Sequence, residues 1–314
     1  MTDSKIEIVR YIPEMKELWD RMVKGSKNGT FLFLRDYMDY HSDIFKDCSF
    51  IFFRKGKPYC IIPGCEIGSE YSSYAGLTYG GMIMSEECTT EGILNVFEIL
   101  LSTLHNAGFR SLVYKPIPHI YHRLPSEEDL YALFRYGARL SARNISSTIL
   151  FDHPLHWKKD RLTAIQRGEK LGIEVKESND FMVFWDILED NLLSKYNTLP
   201  VHDRIQISRL ASLFPDNIKL YTAYHKDEML AGIVCYITDM VVHTQYISAY
   251  MKGKKMGAVD CIVSYLMNKF SDKKYLDFGT SNLDGGKYLN ESLIYQKEGF
   301  GGRGVCYDTY HLAL

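Results

Sequence analysis

Apolar positions along the chain follow two rhythms, one of strands and one of helices. In the first half, residues 49–54 (SFIFFR) and 59–62 are dense in β-formers. They flank Lys55-Gly56-Lys57-Pro58, which predicts a hairpin. A third β-rich run covers 77–84. Ile93, Val96, Phe97, Leu100, Leu101 and Leu104 then recur at helical spacing. They predict a helix over 90–107 that stops at Asn106-Ala107-Gly108. Residues 110–115 predict a strand, and 126–136 a helix with the acidic first turn that a helix dipole favours.

The second half repeats that order. Strands are predicted at 218–224, 229–237 and 240–250, with a turn at His225-Lys226-Asp227-Glu228. A loop over 251–256 leads to a helix at 258–270, with Ile262, Val263, Leu266, Met267 and Phe270 on one face. A short strand at 274–278, a helix at 288–298 and a closing strand at 304–312 follow. Helical stretches at 13–24, 155–171, 181–196 and 203–213 precede the two units. Antiparallel strands that enter a strand–helix–strand crossover predict a mixed, mainly antiparallel sheet flanked by helices. The β-like run 146–151 ends at His153-Pro154, so the expected domains are 1–153 and 154–314.

The 314-residue length allows two domains of roughly 150 residues. A net charge of −2 gives no support to a protein that grips nucleic acid through its phosphates. Seven Cys occur without any C-x-x-C pair, and no His/Cys set completes a zinc site, so reduced thiols and no metal are expected. No apolar run approaches the ~18 residues of a membrane span. No basic segment followed by an apolar core opens the chain, and a cytoplasmic location is the expectation.

The element order, taken twice, resembles the GNAT N-acyltransferase fold in tandem, as in the FemABX-like branch of that superfamily. The strings that carry this are Asn28-Gly29-Thr30-Phe31-Leu32, residues 76–81 (GLTYGG) and 114–118 (YKPIP) in the first half. In the second half they are His243-Thr244-Gln245-Tyr246, Lys255-Met256-Gly257-Ala258, Leu276-Asp277-Phe278-Gly279 and residues 296–301 (QKEGFG). The resemblance implies an acyltransferase that uses acetyl-CoA or another acyl-CoA as co-substrate. Its acceptor would be an amine on a small molecule, a sugar, a nucleotide-sugar or a cell-surface glycan precursor. The alternative it implies is aminoacyl transfer from a charged tRNA to a peptidoglycan precursor, the one reading in which nucleic acid is a partner. A third reading is a double fold that only binds a glycan or a protein. Oligomeric state is left open.

The GNAT resemblance implies a pyrophosphate cradle between the long strand and the next helix, where unpaired helix N–H groups attract an anion. That place reads Lys252-Gly253-Lys254-Lys255-Met256-Gly257-Ala258. It is basic and contains glycine, whereas its first-half counterpart, 84–92, carries three carboxylates. The donor is therefore expected in the second half.

Strict alternation along 240–250 places His243 and Gln245 on one face and Thr244, Tyr246 and Ser248 on the other. The expected base is His243 or Asp277, with Tyr246 or Tyr288 as acid and strand N–H groups holding the oxyanion. Tyr79, Lys115, Arg161, Arg167, His202, Gln245, Lys297 and Glu298 are candidates for the substrate cleft.

Overall fold

The structure, a computed structural model, describes residues 5–41 and 44–314. The chain divides into two compact units. One comprises Met1–Asn144, Asn282–Tyr288 and Cys306–Leu314, and the other Ile145–Ser281 and Leu289–Val305.

The first unit contains β1 (Ile6–Arg10), α1 (Lys16–Gly25), α2 (Arg35–Met38), β2 (Lys46–Asp47), β3 (Phe50–Arg54), β4 (Lys57–Ile62), β5 (Cys65–Ile67), β6 (Glu70–Ser72), β7 (Ile83–Met84), α3 (Thr90–Asn106), β8 (Ser111–Tyr114) and α4 (Glu128–Arg135). Strand β9 (Arg139–Leu150) leaves it at residue 144. The second unit continues with α5 (Lys159–Lys170), β10 (Ile173–Ser178), α6 (Phe181–Tyr196), α7 (Arg204–Leu213), β11 (Ile218–His225), β12 (Glu228–Ile237), β13 (Val241–Ala249), α8 (Met251–Met256), α9 (Ala258–Lys269) and β14 (Tyr275–Thr280). The short strands β15 (Asn282–Leu283) and β16 (Tyr288–Leu289) follow, then α10 (Glu291–Gly299) and β17 (Arg303–Ala313).

The units are not the contiguous stretches 1–153 and 154–314. Residues 148–150 of β9 pair with β14, which draws them into the second unit, while residues 310–313 of β17 pair with β8 in the first.

In the first unit β1, β3, β4 and β7 form an antiparallel sheet. The apolar stripe of α3, from Ile93 to Leu104, belongs to one buried cluster with Phe50, Phe52 and Ile62 of that sheet. The β-rich run 77–84 is a strand only at β7. Its backbone groups are claimed by side chains instead: Asn28 bonds both Met82 O and Met84 N, and the Tyr114 hydroxyl accepts from Met82 N.

In the second unit β10 to β13 form an antiparallel meander, β13 and β14 run parallel, and β9 pairs antiparallel with β14. The parallel step is made by α9. Its Ile262, Val263 and Leu266 share a buried cluster with Ala231, Ile233, Cys235 and Val242. Each such aliphatic side chain contributes roughly 1.5–3 kcal/mol when fully buried. Phe184 and Trp185 of α6 cover the opposite face.

One irregularity decides which side chains share a face. Val234 pairs with Tyr246, but Cys235 pairs with Thr244, so Gln245 is an extra residue in β13. A bulge of one residue reverses the alternation beyond it. His243 therefore shares its face with Tyr246 and Ser248, and Thr244 lies on the other. The faces read from strict alternation are corrected accordingly.

Candidate functional site

The ladder between β13 and β14 is short. It holds Val241, Val242 and His243 opposite Tyr275, Leu276 and Asp277, and then stops. Beyond that point β13 runs on to Ala249 and β14 to Thr280, without pairing. The space that opens is a cavity of about 640 Å³ within the second unit. Ile247 and Ser248 line it from β13 and Phe278 from β14, with α6, the start of α9, α10, Arg161 of α5 and Lys254 of α8 forming the remaining walls. This volume lies in the range of small-molecule sites.

Lys297 enters the cavity from α10. It is only 6% exposed, and its ammonium group donates to the carbonyls of Gly279 (2.7 Å) and Thr280 (2.9 Å). Burial pushes it down to about 8, against the pull of the Asp277 carboxylate. The helix phase of α10 places Lys297, Leu293 and Phe300 on the cavity wall and leaves Glu298 off it.

His243 and Asp277 meet at the closed end of the split. His243 Nδ1 lies 2.8 Å from Asp277 Oδ2, and Asp277 Oδ1 accepts from the hydroxyls of Ser146 and, at 2.8 Å, Thr148. Asp277 is fully buried and held by three donors, so the expected role of proton acceptor for substrate does not suit it. His243 gives Asp277 one of those donors. Its other ring nitrogen turns toward the Gly279 bend, and neither residue lines the cavity.

The expected acids stand elsewhere. The Tyr246 hydroxyl is 2.6 Å from His202 Nδ1, its ring packs edge-on against Trp185, and burial pushes its pKa up to about 12. His202 is buried as well, and its carbonyl accepts from the Trp185 indole. These residues fix the loop between α6 and α7 to β13. Tyr288 belongs to the first unit, in β16, and is 71% exposed. The helix expected over 288–298 begins only at Glu291, where the Asn290 side chain caps it.

The segment expected to be a phosphate-cradling loop is helix α8, broken from α9 by Gly257 at φ +84°. A Cβ on Gly253 would lie 2.5 Å from Leu230 O, and one on Gly257 2.2 Å from Ala164 O. Both glycines serve close packing of backbone on backbone. Lys252 is tied to Glu228, while Lys255 is exposed and off the cavity wall. Ala258 is buried at the start of α9. In the first turn of α9 stands Asp260, nine-tenths buried and joined to Arg161 at 2.9 Å. As one half of an ion pair it already satisfies the positive end of the helix. Lys254 does line the cavity. Its amine donates to Asn191 Oδ1 at 2.7 Å, and its basicity is lowered by burial and by nearby Lys195.

Of the cleft candidates, Arg161 and Lys297 line the cavity, whereas Gln245, Glu298 and exposed Arg167 do not. Tyr79 and Lys115 belong to the first unit. Tyr79 is buried, bonds Thr30 and packs on Tyr121, and Lys115 reaches the Ala75 and Leu77 carbonyls at 3.4 Å. In the same unit, the start of α3 is closed by its own Thr89, whose side chain accepts from Gly92 N. Sequence reasoning missed Asn191, Lys195, Asp260 and Tyr295. The signal available was an acid in the first turn of a helix for Asp260; Tyr295 offered none, since a residue two away from Lys297 does not share its helix face.

Among the described residues no helix is long and apolar enough to cross a membrane, and no group of three His, Cys, Asp or Glu is placed to hold a metal. No protein-family model matches the sequence, and no curated protein matches it. Solved structures do. FemX aligns at TM-score 0.69 and 9% identity over 98% of this chain and 97% of its own. L-PGS from Bacillus licheniformis aligns at 0.62 and 12% over 96% and 92%. A tandem GNAT protein from the clavulanic acid biosynthesis pathway aligns at 0.52 and 8%, over 98% of each chain. At these identities the likeness is one of fold: the chain has a FemABX-like, tandem GNAT-type fold.

Proposed function

We propose that the second unit is an amine acyltransferase, in which an activated acyl ester enters the split between β13 and β14. The observation that carries this reading is the parallel pair that ends at His243 and Asp277 and opens onto a cavity holding a buried amine. Beyond the split the edge of β13 has lost its β14 partner, so its N–H groups can hold the oxyanion that forms as an amine attacks the carbonyl. Lys297 takes the proton from the attacking nitrogen and returns it to the carrier oxygen as the oxyanion collapses, the ester C–O bond breaks and the carrier leaves as its alcohol. A neutral amine has two N–H bonds and one lone pair. Both N–H bonds are used on the Gly279 and Thr280 carbonyls, which leaves the lone pair for the proton. Asp277, held by His243, Ser146 and Thr148, stabilises the ammonium that results.

The donor follows from the same geometry. Acyl-CoA transfer to an amine of a sugar or glycan precursor was the first expectation; Gly253 and Gly257 serve packing and Asp260 is paired with Arg161, so these features lend no support to a pyrophosphate cradle. An aminoacyl ester carried on tRNA needs no such cradle, and this donor is preferred. The acceptor is then an amine of a cell-envelope precursor, reached in the cytoplasm. The test is transfer by the intact protein from radiolabelled aminoacyl-tRNA or acetyl-CoA to a panel of amines. Transfer from the tRNA ester alone is expected. Turnover with acetyl-CoA alone restores the thioester reading, and no transfer from either donor leaves a binding protein.

A further inference from the structure

Two thiols of the first unit meet. Tyr59 is an extra residue in β4, because Phe52 pairs with Cys60 while Phe53 pairs with Pro58. The bulge leaves Tyr59 and Cys60 on one face, in the buried cluster that α3 covers. The loop 85–88 folds back onto that spot. Ser85 N and the Cys88 thiol both donate to the Tyr59 carbonyl, at 3.2 and 3.1 Å. Cys88 stands immediately before Thr89, which caps the 17-residue helix α3. The Cys60 and Cys88 thiols are thereby hydrogen-bonded to one another. The pair is unequal. Cys60 is wholly buried, and burial pushes its thiol up. Cys88 keeps an exposed edge of 6%. The Cys60 hydrogen bond holds the Cys88 thiol below its ordinary value against its own burial, helped by the Ser85 hydroxyl at 3.6 Å and by buried Lys27. Other buried thiols keep different company. Cys65 accepts from Ala75 N at 3.3 Å, Cys261 faces the Ile165 carbonyl at 3.9 Å, and Cys235 lies in the apolar cluster of the second unit.

We propose that Cys60 and Cys88 form a peroxide-reactive dithiol, in which Cys88 attacks and Cys60 resolves. The Cys88 thiolate attacks one oxygen of hydrogen peroxide. An S–O bond forms, the O–O bond breaks, and the other oxygen leaves as hydroxide, which takes up the proton of the thiol as water. Cys88 is then a sulfenic acid. The Cys60 sulfur attacks the Cys88 sulfur. An S–S bond forms, the S–O bond breaks, and the hydroxyl leaves with the Cys60 proton as a second water. The two thiols lose two electrons in all, and the peroxide accepts them. The oxidant must be small, since only an edge of Cys88 is open, and hydrogen peroxide meets that limit. The disulfide ties β4 to the start of α3, and reduction by a dithiol restores the pair. The inference is independent of the acyl-transfer reading, which concerns the second unit.

The intact, reduced protein is exposed to hydrogen peroxide, blocked with N-ethylmaleimide in guanidinium and cleaved without reductant, and its peptides are read by mass spectrometry. A peptide that joins Cys60 to Cys88, and is lost on treatment with dithiothreitol, is expected. Its formation is expected to be at least about tenfold faster than oxidation of Cys235 or Cys261. In Cys60→Ser, dimedone is expected to trap Cys88 as its sulfenic acid, because no resolving thiol remains. In Cys88→Ser, Cys60 is expected to stay unlabelled. Melting temperatures show whether each variant is folded, and the linked peptide in the parent chain decides the matter where one is not. Recovery of Cys60 and Cys88 as free thiols overturns the proposal, as does oxidation of Cys235 at an equal rate. Dimedone on Cys60 in folded Cys88→Ser overturns the assignment of the attacking sulfur.

Discussion

His243 Nδ1 and Asp277 Oδ2 stand 2.8 Å apart across the last pair of two parallel strands. Their bond ties the point where the sheet stops to the point where the cavity begins. Asp277→Ala strands the hydroxyls of Ser146 and Thr148 and the imidazole N–H in a buried place. Breaking a buried charged network of this kind costs about 3–5 kcal/mol. Urea denaturation at pH 7 is expected to show a loss of that order, and a smaller one for Asp277→Asn, which keeps an acceptor oxygen. Equal midpoints for Asp277→Ala and the parent would refute the assignment.

Lys297 gives stability a pH dependence of known sign. Its folded value of about 8 lies below the value of about 10.4 for an unfolded lysine. Between those values the unfolded chain binds more protons, so stability rises with pH there. The burial penalty is fully present below about pH 8 and is relieved as pH climbs toward 10.4. Lys297→Met abolishes that rise, which the free energy of unfolding measured from pH 7 to 10 will show. Under the proposed mechanism, the rate climbs through pH 8 in the parent chain. In Lys297→Arg, whose side chain stays charged, activity is expected to fall at least about a hundredfold.

Gly253 and Gly257 distinguish packing from phosphate binding. Alanine at either drives a Cβ into a carbonyl oxygen, and at Gly257 it also meets φ +84°. Each change is expected to cost about 1–3 kcal/mol in the protein alone, with no ligand added. A thermal melt decides it. Unchanged melting temperatures would return these glycines to a ligand-binding role.

The thiols offer a direct check of burial. Six of the seven cysteines are buried and only Cys306 is exposed. Burial holds the Cys261 thiol up at about 11. Ellman's reagent should therefore label one thiol quickly in the native chain and all seven in guanidinium. In Cys306→Ser the fast phase should vanish.

The long elements were legible because they are long and apolar. Strands β11 and β12 are dense in β-formers bounded by turn residues, β12 buried on both faces, and helix α9 repeats apolar residues at helical spacing. Strands β5 and β6 have three residues each, too few for any period. Helix α8 was hidden by the glycine at its centre, which reads as a turn until Leu230 is seen against it. The bulge at Gln245 left no mark, because one inserted residue changes a phase and not a composition. That single residue moved Tyr246 and Ser248 to the face of His243. The candidate site was legible in its chemistry at His243, Asp277, Arg161, Lys254 and Lys297. Which of these meet a cavity depends on helix phase and on where a ladder ends, and both are set by tertiary packing.

The course of β9 and β17 has a consequence for the order of manufacture. The ribosome completes Met1–Asn144 early, yet that unit also includes Cys306–Leu314, which emerge only after residue 305. Residues 145–305 supply the whole of the second unit and are finished before that closing strand exists. Domains made first usually fold first. In this chain the half that is made first must wait, and the half made second can mature inside the interval.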